Sequence, residues 1–226
     1  MPRSPRGPPS PRLSRAGRRG ERERQLITAA LDCISALGLS ETTVHAVAAR
    51  AGMAAGSINQ YFDSKSRLLT SVLEHLATEF EDAWRRALES SGADPAQRLG
   101  AFINCYFLPA LCQRKKIAVW FAFWGEVKTR PQYQEVCSGY DRVHDESLEG
   151  LCAALIARSG DYPDLRAPDA AKLIASMCHG LWLEFLTGGD GLKRPELARL
   201  AADGLGALFP RHREVLARVV SAQDRL

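Results

Sequence analysis

The stretch TTVHAVAARAGMAAGSINQYFDSKSRLL, residues 42–69, decides how this chain is read. Thr42 and Thr43 stand directly before Val44, Val47, Ala48 and Ala51, apolar positions at helical spacing, so one threonine hydroxyl can cap the free amides of a short helix. Gly52 then interrupts the pattern. Ile58 and Phe62, one turn apart, mark a second short helix with one buried side, while Ser57, Asn59, Gln60 and Tyr61 spread hydrogen-bonding groups over the rest. Asp63 or Ser64 can cap a third helix whose first turn holds Lys65 beside unpaired backbone amides, a combination suited to a phosphate. Helix, glycine turn and helix fits a unit that lays its second helix in the DNA major groove; a helical hairpin serving as ordinary core has the same pattern.

On the N-terminal side, Leu26, Ile27, Ala30, Leu31, Ile34 and Leu37 form one apolar stripe that Gly38 stops, completing a three-helix core. On the C-terminal side the pattern runs on through Leu68, Leu69, Val72, Leu73, Leu76 and Phe80 to Leu88, a long rod over 64–90. Beyond it five helices are expected, at about 94–112, 115–128, 131–159, 167–187 and 194–208, broken at Arg130-Pro131, Ser159–Pro163 and Thr187–Gly191. No strand pairs or hairpin turns are read there. The fold class is therefore all-α, about nine helices. Expected boundaries are a disordered basic arm over 1–20, a helix-turn-helix domain over 21–67, a ligand-binding and dimerisation domain over 68–210 and a charged, amphipathic tail over 211–226.

The longest apolar run, Ile117–Trp124, is eight residues, far short of a membrane span, and no apolar segment follows the N-terminal arginines as a secretory signal would require. The cytoplasm is the expected compartment, with no membrane partner. Six cysteines lie scattered through apolar helical stretches without zinc or redox spacing, which fits buried free thiols, and no metal or cofactor is expected. Residues 1–24 hold eight arginines against two glutamates, whereas the whole chain carries only +4, so the basic charge is concentrated in the arm. Its Pro, Arg, Ser and Gly cannot bury a core, and beside a helix-turn-helix such an arm can lie on DNA phosphates.

As a whole the 42–69 stretch resembles the DNA-binding domain of the tetracycline-repressor (TetR) family. Thr43, Ala48, Ala51, Gly52, Gly56, Ile58, Tyr61, Phe62, Ser64, Lys65, Leu68 and Leu69 fall on the family pattern in register. Two positions depart from it: Ala54 replaces the frequent serine that opens the recognition helix, and Asn59 replaces a frequent phosphate-contacting tyrosine. The segment VWFAFWGEVKTRPQYQEV with the later GLWLEFL resembles the effector domain of the BetI-type branch, the choline-responsive repressors of that family. The resemblance implies a ligand-responsive repressor that binds a palindromic double-stranded DNA operator as a homodimer, pairing its last two helices across a two-fold axis. Met177, Cys178, Leu181 and Phe185 mark one of these, and Leu197, Leu200, Leu205 and Leu208 the next.

The candidate DNA contacts are Thr43, Ala55, Ser57, Asn59, Gln60, Tyr61 and Lys65, with Ser57, Asn59 and Gln60 for bases or nearby phosphates and Thr43, Tyr61 and Lys65 for the backbone. The candidate small-molecule pocket consists of Tyr106, Trp120, Phe121, Trp124, Glu126, Cys178 and Trp182, whose rings could cage a cationic or aromatic effector. Glu126 and Glu184 are its candidate counter-charges. The alternative for these aromatics is plain core. Asp141, His144 and Asp145 read as solvated charge on a long helix, and no catalytic motif is present, so no enzymatic residue is assigned. An adaptor protein that keeps the fold without specific operator binding is the second reading.

Overall fold

The computed structural model describes residues 14–189 and 191–221, all in helices and their connections. Helix α1 spans Arg15–Glu41 and opens on Ser14, whose hydroxyl oxygen accepts from the Gly17 amide at 3.1 Å. Residues 15–20, expected as disordered arm, are thus its first turns, held by the Ser14 cap and an Arg19–Glu23 pair one turn apart. The rest of the expected arm, residues 1–13, lies outside the described residues. Gly38 interrupts α1 at φ 81°, a conformation open to glycine, and the buried Thr42 hydroxyl donates to its carbonyl at 2.7 Å.

Helix α2, Val44–Arg50, takes its cap from Thr43, whose hydroxyl oxygen accepts from Ala46 N at 3.1 Å. It ends in two nested hydrogen bonds, Met53 N to Ala48 O and Gly52 N to Ala49 O, with Gly52 at φ 65°. This left-handed glycine closure satisfies the last carbonyls and turns the chain. The 3-10 helix Ala55–Gln60 follows, and then α3, Lys65–Ser90, capped by Ser64 through Arg67 N at 3.0 Å.

The C-terminal part comprises α4 (Pro95–Asn104), α5 (Arg114–Glu126), α6 (Pro131–Ser159), α7 (Ala167–Thr187), α8 (Arg194–Leu208) and α9 (Arg213–Ser221). The helix expected over 94–112 stops early: a 3-10 turn, Cys105–Phe107, follows α4, and Leu108 is extended at ψ 140°. Pro109 has no amide to donate and excludes the helical conformation from the residue before it. Cys105 and Cys112 therefore share no helix face. The amphipathic segment expected as a tail is the packed helix α9: its Leu216 and Val220 are buried, and a Cβ at Gly100 of α4 would stand 3.0 Å from Val219. Pro210 starts the 3-10 turn that folds this segment back, and Tyr162 bonds His212 across it at 2.8 Å. Residues 222–226 lie outside the described part.

Two hydrophobic cores result. One gathers α1, α2, the 3-10 segment and the first half of α3, from Leu26 to Leu76, and takes in Val119 and Phe123 of α5 and Tyr133 and Cys137 of α6. The other joins Trp84 of α3 to α4 and α6–α9. Cys178, Leu197 and Leu205, expected along the dimer helices, are fully buried within this second core. All six cysteines are buried and unpaired, and burial pushes the thiols of Cys105 and Cys152 up to about 12. Among the described residues no helix is long and apolar enough to cross a membrane.

Candidate functional site

The DNA-facing candidates sit on the 3-10 segment and the caps on either side of it. Ala54 occupies the N-cap without a side-chain acceptor, and both the amide and the hydroxyl of Ser57 turn back on the Ala54 carbonyl, at 2.9 and 2.6 Å. Where serine would offer an oxygen to the free amides, alanine leaves the backbone to tighten on itself, and the expected second helix becomes three residues per turn. Its faces follow that period. Ala55, Ile58 and Tyr61 form the inward column, packing on the first core, while Asn59 and Gln60 are exposed and Ser57 is half-buried. Tyr61 lies under the Arg19 guanidinium, 5.6 Å from its ring centre. Lys65 stands in the first turn of α3 with Nζ 3.4 Å from the Ser40 carbonyl, and Thr43 is exposed at the start of α2.

The second constellation is a cavity of about 330 Å³ enclosed by α3, the Cys105–Phe107 turn, α5, α6 and α7. Trp120 and Trp124, one turn apart on α5, form one wall with rings 5.7 Å apart. Tyr106 and Trp182 form the floor with rings 5.1 Å apart, fixed by a hydrogen bond from the Trp182 indole to the Tyr106 carbonyl at 2.9 Å. Phe80 and Trp84 of α3 close a further side. Four of the seven expected pocket residues therefore meet. Phe121, Glu126 and Cys178 do not line the cavity: Phe121 backs Trp124 edge-on, Glu126 pairs with Arg130 at 2.9 Å, and Cys178 is turned into the core. Glu184 is exposed and also absent from the lining.

Most polar groups of the cavity come instead from α6 and α7, and three of them, Asp141, His144 and Asp145, read in the sequence as solvated charge. The Tyr106 hydroxyl and His144 Nε2 are 2.7 Å apart, and His144 Nδ1 lies 3.2 Å from Asp145. In the neutral ring, Nδ1 donates to the carboxylate and Nε2 accepts from the tyrosine. The His144 bond holds the Asp145 carboxyl below its usual range despite some burial. Neighbouring Asp141 is raised, first by loss of surrounding water and then by the charge of Asp145. The His179 ring lies 4.9 Å from that of Trp124, tilted by 59°, and its burial, then His144, brings it down to about 4, so the ring is neutral at pH 7. Glu81 and Lys172 complete the charged lining. Aromatic walls with carboxylates at the mouth can hold an organic cation.

Helical spacing carried a signal for these residues: Asp141, His144 and Asp145 fall at i, i+3 and i+4, one face of α6, which places all three together wherever that face points. What the sequence could not supply is that the face meets Tyr106, thirty-eight residues away.

Residues 26–72 match the family model of bacterial regulatory proteins of the tetR family, and residues 95–210 match that of the BetI-type transcriptional repressor, C-terminal. Among curated relatives, the HTH-type transcriptional regulator BetI 1 of Chromohalobacter salexigens is 31% identical over 182 residues, covering 80% of this chain and 87% of that protein. The regulator BetI of Paraburkholderia phymatum is 31% identical over 189 residues, 83% of this chain and 93% of its own. Among solved structures, a transcriptional regulator from Pseudomonas aeruginosa PAO1 superposes with a TM-score of 0.72 at 26% identity, covering 87% of this chain and 94% of that one. A regulator from Saccharomonospora viridis in complex with choline gives a TM-score of 0.73 at 21% identity, over 82% of this chain and 96% of that one. A helix-turn-helix over the first match and a helical domain enclosing an aromatic cavity over the second lead to one conclusion: the chain belongs to the tetR family of bacterial regulatory proteins and carries the C-terminal domain of the BetI-type transcriptional repressors.

Proposed function

We propose that this regulator binds a palindromic operator as a homodimer and releases it when an organic cation occupies the aromatic cavity. The observation that carries the reading is the cavity itself, with four tryptophans, Tyr106 and Phe80 around it and Asp141 and Asp145 at its mouth. Ring faces attract a cation without demanding a hydrogen bond, and the carboxylates supply the opposite charge, so a quaternary ammonium such as choline suits both. The choline complex of the Saccharomonospora viridis regulator concerns that protein; for this chain the inference rests on its own lining.

On the DNA side, Asn59 and Gln60 are the base-edge candidates, with Ser57 beside them; Thr43 and Lys65 serve the backbone, and of the inward pair Ala55 and Tyr61 only the half-exposed Tyr61 keeps a hydroxyl for a phosphate. The Thr43 hydroxyl uses its oxygen for the cap and keeps its proton for a phosphate. Dimer formation is supported by α7, where exposed Leu173, Ser176, Gly180 and Leu183 follow a three-four-three spacing, one face of a helix with a glycine that permits close approach.

The two functions share a wall. Val119 and Phe123 of α5 are buried in the first core, whereas Trp120 and Trp124 of the same helix line the cavity. Asp32 of α1 also takes Arg50 of α2 at 3.1 Å and Lys115 of α5 at 3.3 Å. An effector that shifts α5 therefore acts on α1 and α2 directly, in addition to the route along α3 through 64–90. Linkage requires the reciprocal effect: operator must weaken effector binding by the same factor.

The test is selection of bound fragments from random DNA by the purified protein, followed by operator titration with choline, benzyltrimethylammonium and the neutral isostere 3,3-dimethylbutanol. Both cations should lower operator affinity and the alcohol should not. Equal effects of all three would remove the cation, and recovery of no preferred sequence would favour the adaptor reading.

A further inference from the structure

We infer that the first turns of α1 form a second, sequence-independent DNA contact, an arginine stripe that clamps phosphates flanking the recognition segment. Arg15, Arg18, Arg19 and Arg22 fall at i, i+3, i+4 and i+7, one face of the helix, and all four are exposed. The face is informative. Continued by the same spacing it becomes Leu26, Ala29, Ala30 and Cys33, which are buried in the helix-turn-helix core. The side of α1 that packs on the DNA-binding unit is therefore apolar where the unit covers it and arginine where it overhangs.

Two ties fix the overhang to the recognition elements. Arg19, held by Glu23 at 2.8 Å, lies over the ring of Tyr61 at the end of the 3-10 segment. Arg22 donates to Gln25 at 2.9 Å, and Gln25 donates in turn to the Ala51 carbonyl, at the turn between α2 and that segment, at 2.7 Å. The stripe is thus pre-positioned beside both ends of the recognition unit. It lies wholly before residue 26, where the match to the tetR family model begins. From residue 15 to 22 a helix rises about 10 Å, enough for roughly two or three phosphates of one strand. Guanidinium groups bind phosphate oxygens whatever the base sequence, so the contact adds affinity and footprint, and no base preference.

The inference rests on DNA binding by the helix-turn-helix, and the experiment separates the two. Full-length protein is titrated by fluorescence anisotropy onto a scrambled 30-base-pair duplex over a series of KCl concentrations. The variants are R15Q/R18Q/R22Q, the charge-retaining R15K/R18K/R22K, and R85Q/R142Q/R199Q, which removes the same charge from exposed arginines of α3, α6 and α8. The first should lower the slope of log K against log salt by about 2 to 3 per protomer, about 4 to 6 for a dimer, and weaken binding by at least about 50-fold at 0.1 M salt. The lysine variant should restore the slope, and the distal variant should keep it. Leaving Arg19 in place keeps the Tyr61 contact, and circular dichroism establishes that the variants are folded. A wild-type slope in the first variant, or an equal drop in the distal one, overturns the clamp while leaving DNA binding intact; a wild-type slope near zero overturns both.

Discussion

The DNA-binding unit and the cavity are built on opposite principles. In the first, the caps and the turn are closed by neighbours in the chain: Thr43 caps through Ala46, Ser64 through Arg67, and Gly52 closes α2 through Ala48 and Ala49. In the second, the defining bonds join distant segments, Tyr106 to His144 across 38 positions and Trp182 to Tyr106 across 76. A unit closed locally keeps its shape as a rigid body. A cavity closed by long-range contacts among five segments changes shape whenever one helix shifts, which is what a sensor requires. The seam between them is α5, and the first way to break the contrast is there. Phe123 is fully buried against Tyr133, ring centres 4.9 Å apart, in the core of the DNA-binding unit. Phe123→Ala should cost about 3–5 kcal/mol in urea denaturation, because the cavity it leaves cannot collapse. A loss below about 1 kcal/mol would mean that the seam carries no core.

The second test sharpens the sensor side. Trp124 contributes a ring to the cavity and packs against the tilted ring of His179. Trp124→Ala should weaken binding of choline or benzyltrimethylammonium by about fivefold to thirtyfold, in line with about 1–2 kcal/mol for a partly desolvated cation–ring contact. Calorimetry measures it directly. Operator affinity without effector should stay within twofold, and a large drop there would deny the separation of the two regions.

The contrast also explains what the residues disclosed in advance. The 42–69 stretch could be read position by position because its structure is made of caps and turns, whose partners sit three or four residues away. Even its departure was informative: Ala54 lacks the acceptor that serine provides, and the segment that follows is a 3-10 helix. The aromatic walls at Trp120, Trp124, Tyr106 and Trp182 were visible as unusual density. Asp141 and His144 were legible as one helix face but not as lining, since nothing local states which neighbour that face will meet. Glu126 shows the converse error. It sits beside the aromatics in sequence, yet Arg130 one turn on claims its carboxylate. The segment after Pro210 reads as amphipathic, which fits a helix, but its burial against α4 and α8 was not legible, because a short, charged segment gains its order only by that packing.

A third test uses pH. His179 titrates near 4 in the folded chain against about 6.5 for an exposed imidazole, so the unfolded state binds the proton first. Stability associated with this group is complete above about pH 6.5 and is lost as pH falls from there towards 4, with a limiting slope of about 1.4 kcal/mol per pH unit. His179→Gln should flatten the fall in melting temperature between pH 6.5 and 5. A variant that keeps the wild-type slope would assign the fall to other groups. Cation affinity should decline over acid pH by a separate cause: Asp141, the raised carboxyl, loses its charge first and Asp145 later.

The smallest effect concerns the ionic tie across the seam. Burial alone would raise the Asp32 carboxyl, but the hydrogen bonds from Arg50 and Lys115, reinforced by their charges, outweigh it and hold it below its usual value. A depressed carboxyl stabilises the fold above its unfolded value, and the contribution is lost as pH falls through the folded one. Asp32→Asn should therefore cost at most about 1 kcal/mol at neutral pH, the scale of a partly exposed pair, and nothing once the wild-type carboxyl is protonated. The more telling readout is the ratio of operator affinities with and without choline. Because Asp32 bonds one residue of the DNA-binding unit and one of the cavity's own helix, its loss should reduce that ratio twofold to fivefold while leaving choline affinity in the absence of DNA unchanged. An unaltered ratio would place the coupling in the apolar contacts of Val119 and Phe123, or along α3, and leave the ion pair a surface ornament of the seam.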